Sequence, residues 1–454
     1  MTTTTLEAPD VQPGIGLLSI DERRKRDSDA PTAFDAGVKR KDLRQAIAAC
    51  VLACPPKSSL PILLNLQLTT DFDNKSLDVL GTDLETFVQV RIPALSAINS
   101  TTNMPARYAK DLAKLLDAED LQITNNWTSF DYNSDRYIDI KAGNGVYTMG
   151  IQPHQSLAPR DIDHTFFARL EMRKFLAALQ IIKHAMSSDE TRRVLTSVLF
   201  VAQENGLTLV ATDTHRLVKL TVVDGVQTDI KTESGQYSGI VPSSTIELLC
   251  KVLTPYQKSL VGIHVLLDSQ WCQFVINTGI GKRITITSQL IDGEFPVYNR
   301  VSPKSLEHPD NTTPGRVVTV NRLEMLGIIR RLQLCSKDYS HRLILCLHDK
   351  LKISTGLGDD KQPHNANGAI EQMDYAVKYC GGATESFGLY SNNGKPKPTT
   401  HYEIAINCVY LKDCLSSIDS PTVNFEFRES LNLIRVTMPG NPNWHEIVMP
   451  MQVV

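Results

Sequence analysis

The chain has 454 residues, of which 42% are apolar and 21% charged, with a formal net charge of −3. These are the proportions of a soluble globular protein with room for several hydrophobic cores. No apolar run is long enough to cross a bilayer, and the Thr-rich start lacks the basic and then apolar regions of a secretory signal. The nine cysteines are scattered without a Cys-x-x-Cys pair. That pattern argues against a zinc site or a disulfide framework, and for small buried thiols in a reducing cytoplasm with no cofactor.

Residues 1–36 read as a disordered arm, since Pro, Asp and Thr surround a charge run at 21–27 without any sustained period. The segment 37–160 follows. A helix over 38–54 leads to Leu60-Pro-Ile-Leu-Leu-Asn-Leu66 and to a strand pair over 74–92 folded about a Thr82-Asp83 corner. A helix at 105–116 and a strand pair ending at 146–151 complete the segment. Pro105 at that helix start costs nothing, because the first helical N–H has no intrahelical partner.

The segment 161–304 repeats this order. It has strand-like residues at 165–170, a helix at 170–186, two strands about a Thr212-Asp213 corner, a helix at 243–254 and strands ending at 284–290. Asp83 and Asp213 are 130 residues apart, the spacing of a repeated domain and not of a solenoid unit. A linker over 305–315 is rich in turn formers. The segment 316–454 then gives a third, weaker copy, with helices at 320–334 and 408–417 and a Gly-rich stretch in place of the Thr-Asp corner after 349–355. Two polar insertions lie near 356–368 and 383–400. The stretch 388–395 looks like a phosphate loop, but it has one residue too many between its glycines, and Pro396 stands where Ser or Thr would bind magnesium. The expected class is α+β, with three repeated domains each carrying two helices on antiparallel sheets.

Charge is unevenly shared. The six predicted helices hold fifteen Lys and Arg against six Asp and Glu, about +9, which leaves about −12 for the rest of the chain. Amphipathic helices always carry charge on the wet face, but one sign shared by three repeats suits a surface that meets phosphates. Catalysis finds little support. Asp213 and His215 share a turn without a nucleophile motif, and there is no His-Glu-x-x-His, no glycine-rich dinucleotide turn and no acidic cluster spaced for two metals.

Five segments carry a family resemblance. Ala211-Thr-Asp-Thr-His-Arg-Leu217, Gln289-Leu-Ile-Asp-Gly-Glu-Phe-Pro-Val-Tyr-Asn-Arg-Val301 and Val448-Met-Pro-Met451 resemble the bacterial sliding clamps, the beta subunits of DNA polymerase III. Leu60-Pro-Ile-Leu-Leu-Asn-Leu66 and Gly81-Thr-Asp-Leu-Glu85 are similar to that family's first domain, and the likeness spans roughly 38–454. The resemblance implies the DNA-clamp fold and a ring-shaped head-to-tail homodimer around duplex DNA. Such a ring is a non-catalytic processivity factor of DNA replication, cytoplasmic and nucleoid-associated, with no membrane partner. Its basic hole meets phosphates without reading bases. Its partners are the replicative polymerase's catalytic subunit, the clamp loader, and other clamp-binding polymerases and repair proteins.

Carried over position by position, the implied partner-peptide pocket is Leu195, Thr212, Thr214, His215, Arg216, Leu217, Pro296, Arg300, Val301, Ile447, Met449, Pro450 and Met451, flanked by Asn407 and Tyr410. The implied DNA contacts are Lys57, Arg107, Lys110, Lys114, Arg192, Arg193, Lys251, Arg330 and Arg331, and the implied dimer contact lies at Leu334 and Cys335. Adaptable Leu, Val and Met side chains with a few polar groups suit a slot for short peptides of Gln plus apolar residues. Three positions depart from the family. Thr214 stands where Gly is usual, Gln452 where a basic residue is common, and Ser243 where a basic residue follows Val-Pro. The arm holds a faint echo of a partner peptide at Gln12, Ile15, Leu17 and Leu18. The extra arm, the two insertions and the altered pocket position Thr214 motivate an alternative, a clamp paralogue of a mobile element or virus that binds peptides without serving as the main replication ring.

Overall fold

The computed structural model describes residues 34–125, 137–151, 157–158, 162, 166–203, 206–223, 227–230, 236–259, 261–302, 304–308, 311–335, 341–355, 369–383, 402–428 and 433–451. The expectations for the arm up to residue 33, its peptide echo, the insertions (Ala383 apart), the phosphate-loop lookalike and Gln452 fall outside these residues.

One order of elements recurs three times. The first set is β1 (Asp35–Lys39), α1 (Arg40–Cys50), β2 (Asn65–Asp71), β3 (Ser76–Thr82), β4 (Thr86–Leu95), β5 (Ser100–Pro105), α2 (Ala106–Leu115), β6 (Asp120–Asn125), β7 (Tyr137–Ala142) and β8 (Gly145–Gly150). The second is β9 (Phe166–Glu171), α3 (Met172–Ile182), β10 (Ser197–Gln203), β11 (Gly206–Thr212), β12 (Arg216–Val222), β13 (Gln227–Ile230), β14 (Gln236–Pro242), α4 (Ser243–Leu253), β15 (Gly262–Leu267), β16 (Trp271–Gly279) and β17 (Lys282–Gln289). The third is β18 (Gly315–Asn321), α5 (Arg322–Cys335), β19 (Arg342–Leu347), β20 (Leu351–Ser354), β21 (Ile370–Met373), β22 (Ala376–Cys380), β23 (Tyr402–Asn407), α6 (Cys408–Ser417), β24 (Thr422–Phe427), β25 (Ile434–Met438) and β26 (Asn441–Val448).

The pairings match across the sets. Long strand β4 pairs with both β3 and β1. The other two sets divide that role, since β12 pairs with β11 and β13 with β9, while β21 pairs with β20 and β22 with β18. Each first helix is entered the same way. The amides of Arg40, Met172 and Arg322 donate to the carbonyls of Glu119, Val261 and Pro421, just before the closing strands. An amide with no intrahelical partner is thereby satisfied at each entry.

The described residues pack as two compact units. The first comprises the chain to Arg173 with Gln227–Glu233 and Leu248–Leu290; the second comprises Lys174–Val226, Ser234–Glu247 and Ile291–Val454. In the first unit the antiparallel order is β13-β9-β15-β16-β17-β4-β1-β6-β7-β8, with β3, β2 and β5 branching from β4. Helix α1 buries Leu43, Ala46, Ile47 and Cys50. That spacing forms one apolar stripe, and each large side chain in it contributes about 1.5–3 kcal/mol. β3 passes this helix so closely that a Cβ on Gly81 would meet the Cys50 carbonyl oxygen at 2.2 Å. In the second unit β14-β10-β11-β12-β26-β25-β24-β18-β22 form one sheet, and β21-β20-β19-β23 a smaller one.

Several expectations are corrected. The helix expected over 38–54 starts at Arg40 and ends at Cys50, and β1 takes the residues before it. Phe34, Ala36 and Val38 are buried in alternation, so a period of two governs the end of the supposed arm. The buried, β-branched Val317, Val318 and Val320 make a strand, β18, out of the start of the helix expected at 320. Cys50 and Cys54, spaced as if on one helix face, are parted by the helix end. The Cys50 thiol donates to the Val79 carbonyl, whereas Cys54 lies past the helix end. Burial pushes the Cys50 thiol well up and the Cys54 thiol to about 11.

Candidate partner-binding site

The site is built on the second unit, around a tight corner between β11 and β12. Asp213 Oδ1 accepts from the amides of His215 (3.0 Å) and Arg216 (2.9 Å), and Thr212 Oγ1 accepts from the Thr214 amide (3.2 Å). These bonds hold Thr214 at φ +80°, a conformation that a β-branched residue adopts only under constraint. Asp213 Oδ2 also accepts from Arg216 Nε at 3.0 Å, and Arg216 Nη1 reaches Asp413 Oδ2 on α6 at 3.0 Å. The guanidinium is largely buried and lies 4.7 Å from the centre of the Tyr410 ring. On that same ring His215 is stacked at 6.0 Å, with 18° between the planes. Burial, and next the Asp213 charge, raise the Tyr410 phenol, which therefore stays neutral.

Below the corner, β12 pairs with β26, Arg216 opposite Val448 and Leu217 opposite Ile447. The run continues through Met449, whose amide donates to the His215 carbonyl, and Met451, whose amide donates to Ala405. Leu217 and Ile447 belong to an apolar cluster with Leu199, Val201, Val210 and Ile240, against which Val194, Phe295 and Tyr298 pack. The Leu195 next to Val194 is itself buried. Asn407 caps α6 by accepting from the Val409 amide at 2.9 Å. Val301 and Met449 are each 46% exposed, and Pro296 and Arg300 are exposed as well. The result is a wall of buried Leu and Ile edged by accessible Val and Met and by one stacked, polar aromatic pair. Such a surface can take apolar side chains and fix a register through a few polar groups.

Thus Leu195, Thr212, Thr214, His215, Arg216, Leu217, Asn407, Tyr410, Ile447, Met449, Pro450 and Met451 gather on elements of one unit, together with Pro296, Arg300 and Val301. Sequence reasoning missed Asp413, Phe295 and Tyr298. Asp413 was findable, since it stands three residues beyond Tyr410 and so on the same face of α6.

The nine candidate phosphate contacts all reach the surface at least in part. In the first unit Arg107 Nη2 donates to the Pro56 carbonyl at 2.7 Å, which brings it beside Lys57, and Lys114 pairs with Asp111. In the second unit Arg192 and Arg193 lie exposed about a short 3-10 turn, Arg330 is exposed, and Arg331 makes a two-pronged pair with Glu371. The helix charge count needs revision. Arg40 is spent on the Leu116 carbonyl and Arg322 on the carbonyls of Leu415 and Ser420, while acidic Asp42 is buried against Lys282 at 2.6 Å. Leu334 projects from the end of α5, 85% exposed. Among the described residues no cluster of His, Cys, Asp and Glu could hold a metal, and no helix is long and apolar enough to cross a membrane.

Residues 169–297 match the family model for the DNA polymerase III beta subunit, central domain. Along its length the chain is 22% identical to a beta sliding clamp of Rickettsia felis over 417 residues, 92% of this chain and 99% of that one. It is 22% identical to a beta sliding clamp of Staphylococcus aureus over 88% of this chain and 94% of the relative. The structure of the DNA polymerase III subunit beta from Pseudomonas aeruginosa superimposes with a TM-score of 0.73 at 23% identity, covering 92% of this chain and all of that one. The fold is therefore the DNA-clamp fold.

Proposed function

We propose that the chain is a sliding clamp of the DNA polymerase III beta subunit family, on the match of its central segment and the similarity along most of its length. Two copies associate head to tail around duplex DNA. The ring itself is not an enzyme; it serves as a processivity factor for a replicative polymerase and is loaded by a clamp loader. Other polymerases and repair proteins dock on the same slot around Leu217, Ile447 and Met449 through short peptides. The domains expected at 37–160, 161–304 and 316–454 extend back to take in the whole of β1 and β18, and the protein works in the cytoplasm on the nucleoid. Similarity along nearly the whole chain favours this working ring over a peptide-binding paralogue.

The observation that carries the reading is a seam used twice and left open once. The last strand of the second set, β17, pairs with β4 of the first, and the last strand of the third, β26, pairs with β12 of the second. Among the described residues their counterparts β8 and β21 each pair on one side only. An unpaired strand edge invites a partner, and a second copy offers the complementary edge twice, which closes the assembly. The registers of the two existing seams, Phe87 opposite Thr287 and Leu217 opposite Ile447, put Ile370 opposite Thr148 of the partner copy. Exposed Leu334 lies on the helix that pairs Arg331 with Glu371 of β21, which suits the same contact.

A clamp held on DNA by topology resists salt, whereas phosphate contacts alone weaken steeply. Protein loaded on nicked circular duplex is expected to stay bound in high salt and to escape once the circle is cut. Loss from the intact circle would refute the ring. Ile370→Cys with Thr148→Cys is expected to trap a covalent dimer of twice the 50.5 kDa subunit. Monomers only, under oxidation, would refute the seam.

A further inference from the structure

Residues 291–302 and 304–307 form a strap that crosses the nine-stranded sheet of the second unit. At one edge the Ile291 amide donates to Ile240 of β14 at 2.9 Å. Phe295 and Tyr298 then press on the apolar cluster, with Lys219 Nζ of β12 5.6 Å from the Tyr298 ring centre. Ser302 Oγ meets His445 Nε2 of β26 at 2.6 Å. Ser305 Oγ and the Leu306 amide both donate to Glu426 of β24, at 2.6 and 2.8 Å. At the far edge Glu307 pairs with Lys378 of β22 at 2.9 Å. The segment expected as a linker thus begins as a docked element. Leu306 is buried so tightly that a Cβ on Gly315 would meet its Cδ1 at 2.5 Å.

Ile291, Phe295, Tyr298 and Ser302 turn inward, and the residues between them, Pro296, Arg300 and Val301, form one wall of the candidate slot. That wall has no sheet hydrogen bonds of its own, so its place depends on the anchors at either end. The strongest anchor is Glu426. Its carboxylate is fully buried and is held by Arg435 Nη1 at 2.9 Å as well as by the two strap donors. A buried carboxylate with three donors makes strong, short, directional bonds.

We propose that Glu426 is the positioning residue for the Pro296 to Val301 wall, acting through Ser305 and Leu306, so that peptide affinity depends on a side chain outside the slot. The inference rests on the reading of this site as a peptide slot. Glu426→Gln keeps the shape but loses the charge pair and one acceptor, and Ser305→Ala removes one donor with little risk to folding. The probe is a fluorescein-labelled peptide bearing Gln and a Leu-Phe pair, titrated into the full-length protein, with hydrogen exchange of 295–302 followed by mass spectrometry.

Glu426→Gln is expected to weaken the peptide about tenfold, the equivalent of one hydrogen bond. Exchange in 295–302 should speed up while the strands of the first unit stay unchanged. The double variant should be no weaker than Glu426→Gln alone, because the Ser305 hydroxyl acts through Glu426. Unchanged affinity and exchange, with only a lower melting temperature, would overturn the proposal and leave Glu426 a plain core residue. If the unaltered protein binds no peptide, the slot reading falls and the wall loses its role; exchange then reports separately whether Glu426 anchors the strap.

Discussion

The corners at 82–86 and 212–216 have one backbone and two different fates. In each, the Asp side chain accepts from the amides two and three residues on, the Thr before it accepts from the amide two residues on, and the Asp amide donates to the carbonyl that closes the turn. Both hold their central residue, Leu84 or Thr214, at φ +80°. Each also passes a carbonyl to the following seam, Glu85 to the Gln289 amide and His215 to the Met449 amide. What differs is the closing side chain. Thr86 ends the first corner, whereas Arg216 ends the second and ties it to Asp413 and Tyr410 of α6. A turn stabilised by its own Asp and Thr is generic. What sets the second corner apart is one cation that reaches the next repeat.

Removing that cation should separate the corners most. Arg216→Ala leaves two partly buried carboxylates without their shared partner, and is expected to cost about 3 kcal/mol. Thr86→Ala, at the matching position, is expected to cost about 1 kcal/mol or less. Urea midpoints of the two variants measure this. Equal losses would mean that the Asp213, Arg216 and Asp413 network adds nothing beyond the turn.

Acid should act on one seam and spare the other. Where β12 meets β26, Lys219 stands opposite His445; at the matching place on β4 and β17, Gln89 stands opposite Thr285. Burial, then Arg435 and Lys219, push the His445 imidazole down to about 3. The unfolded chain takes up that proton near pH 6.5, so the contribution is intact above that value and is lost progressively as pH falls towards 3. Stability at pH 5 is expected to be roughly 2 kcal/mol lower than at pH 7 from this group alone. His445→Gln should flatten the difference in denaturation curves at the two pH values. An unchanged difference would place the acid sensitivity elsewhere.

Much of this was legible in the sequence because it is local. The paired Thr-Asp corners, the apolar stripes of α1 to α6 and the order of elements are written within short windows, and local periodicity reads them. What stayed hidden depends on long-range pairing. β1 and β18 each run straight into a helix, so their short strand patterns merge with the helix that follows, and the closing strands that pair with them lie far off in the chain. The segment 305–315 looked like a linker from its Pro, Asn and Gly content, yet Glu426, more than a hundred residues away in the chain, holds Ser305 and Leu306. The third corner shows the same limit. Its closing bond, from the Thr355 amide to the Ala369 carbonyl, spans an insertion where the other two corners need three residues.

The smallest expected effect is also the most discriminating. The family resemblance implies glycine at the position of Thr214, which invites a functional reading of the strain. Leu84 has the same φ and is no part of the proposed slot, so the strain belongs to the corner and not to the site. A non-glycine residue there costs about 1–2 kcal/mol, and glycine recovers part of that while losing more entropy on folding. Thr214→Gly and Leu84→Gly should therefore each stabilise by about 0.5 kcal/mol, and by similar amounts. Only Thr214→Gly should change peptide affinity, because only that corner supplies His215 and Arg216 to the slot. A stability gain at one corner alone would mean that their shared hydrogen bonds hide different strain. Equal gains with a shift in peptide preference would assign the strain to the corner in both repeats and selectivity to Thr214 alone.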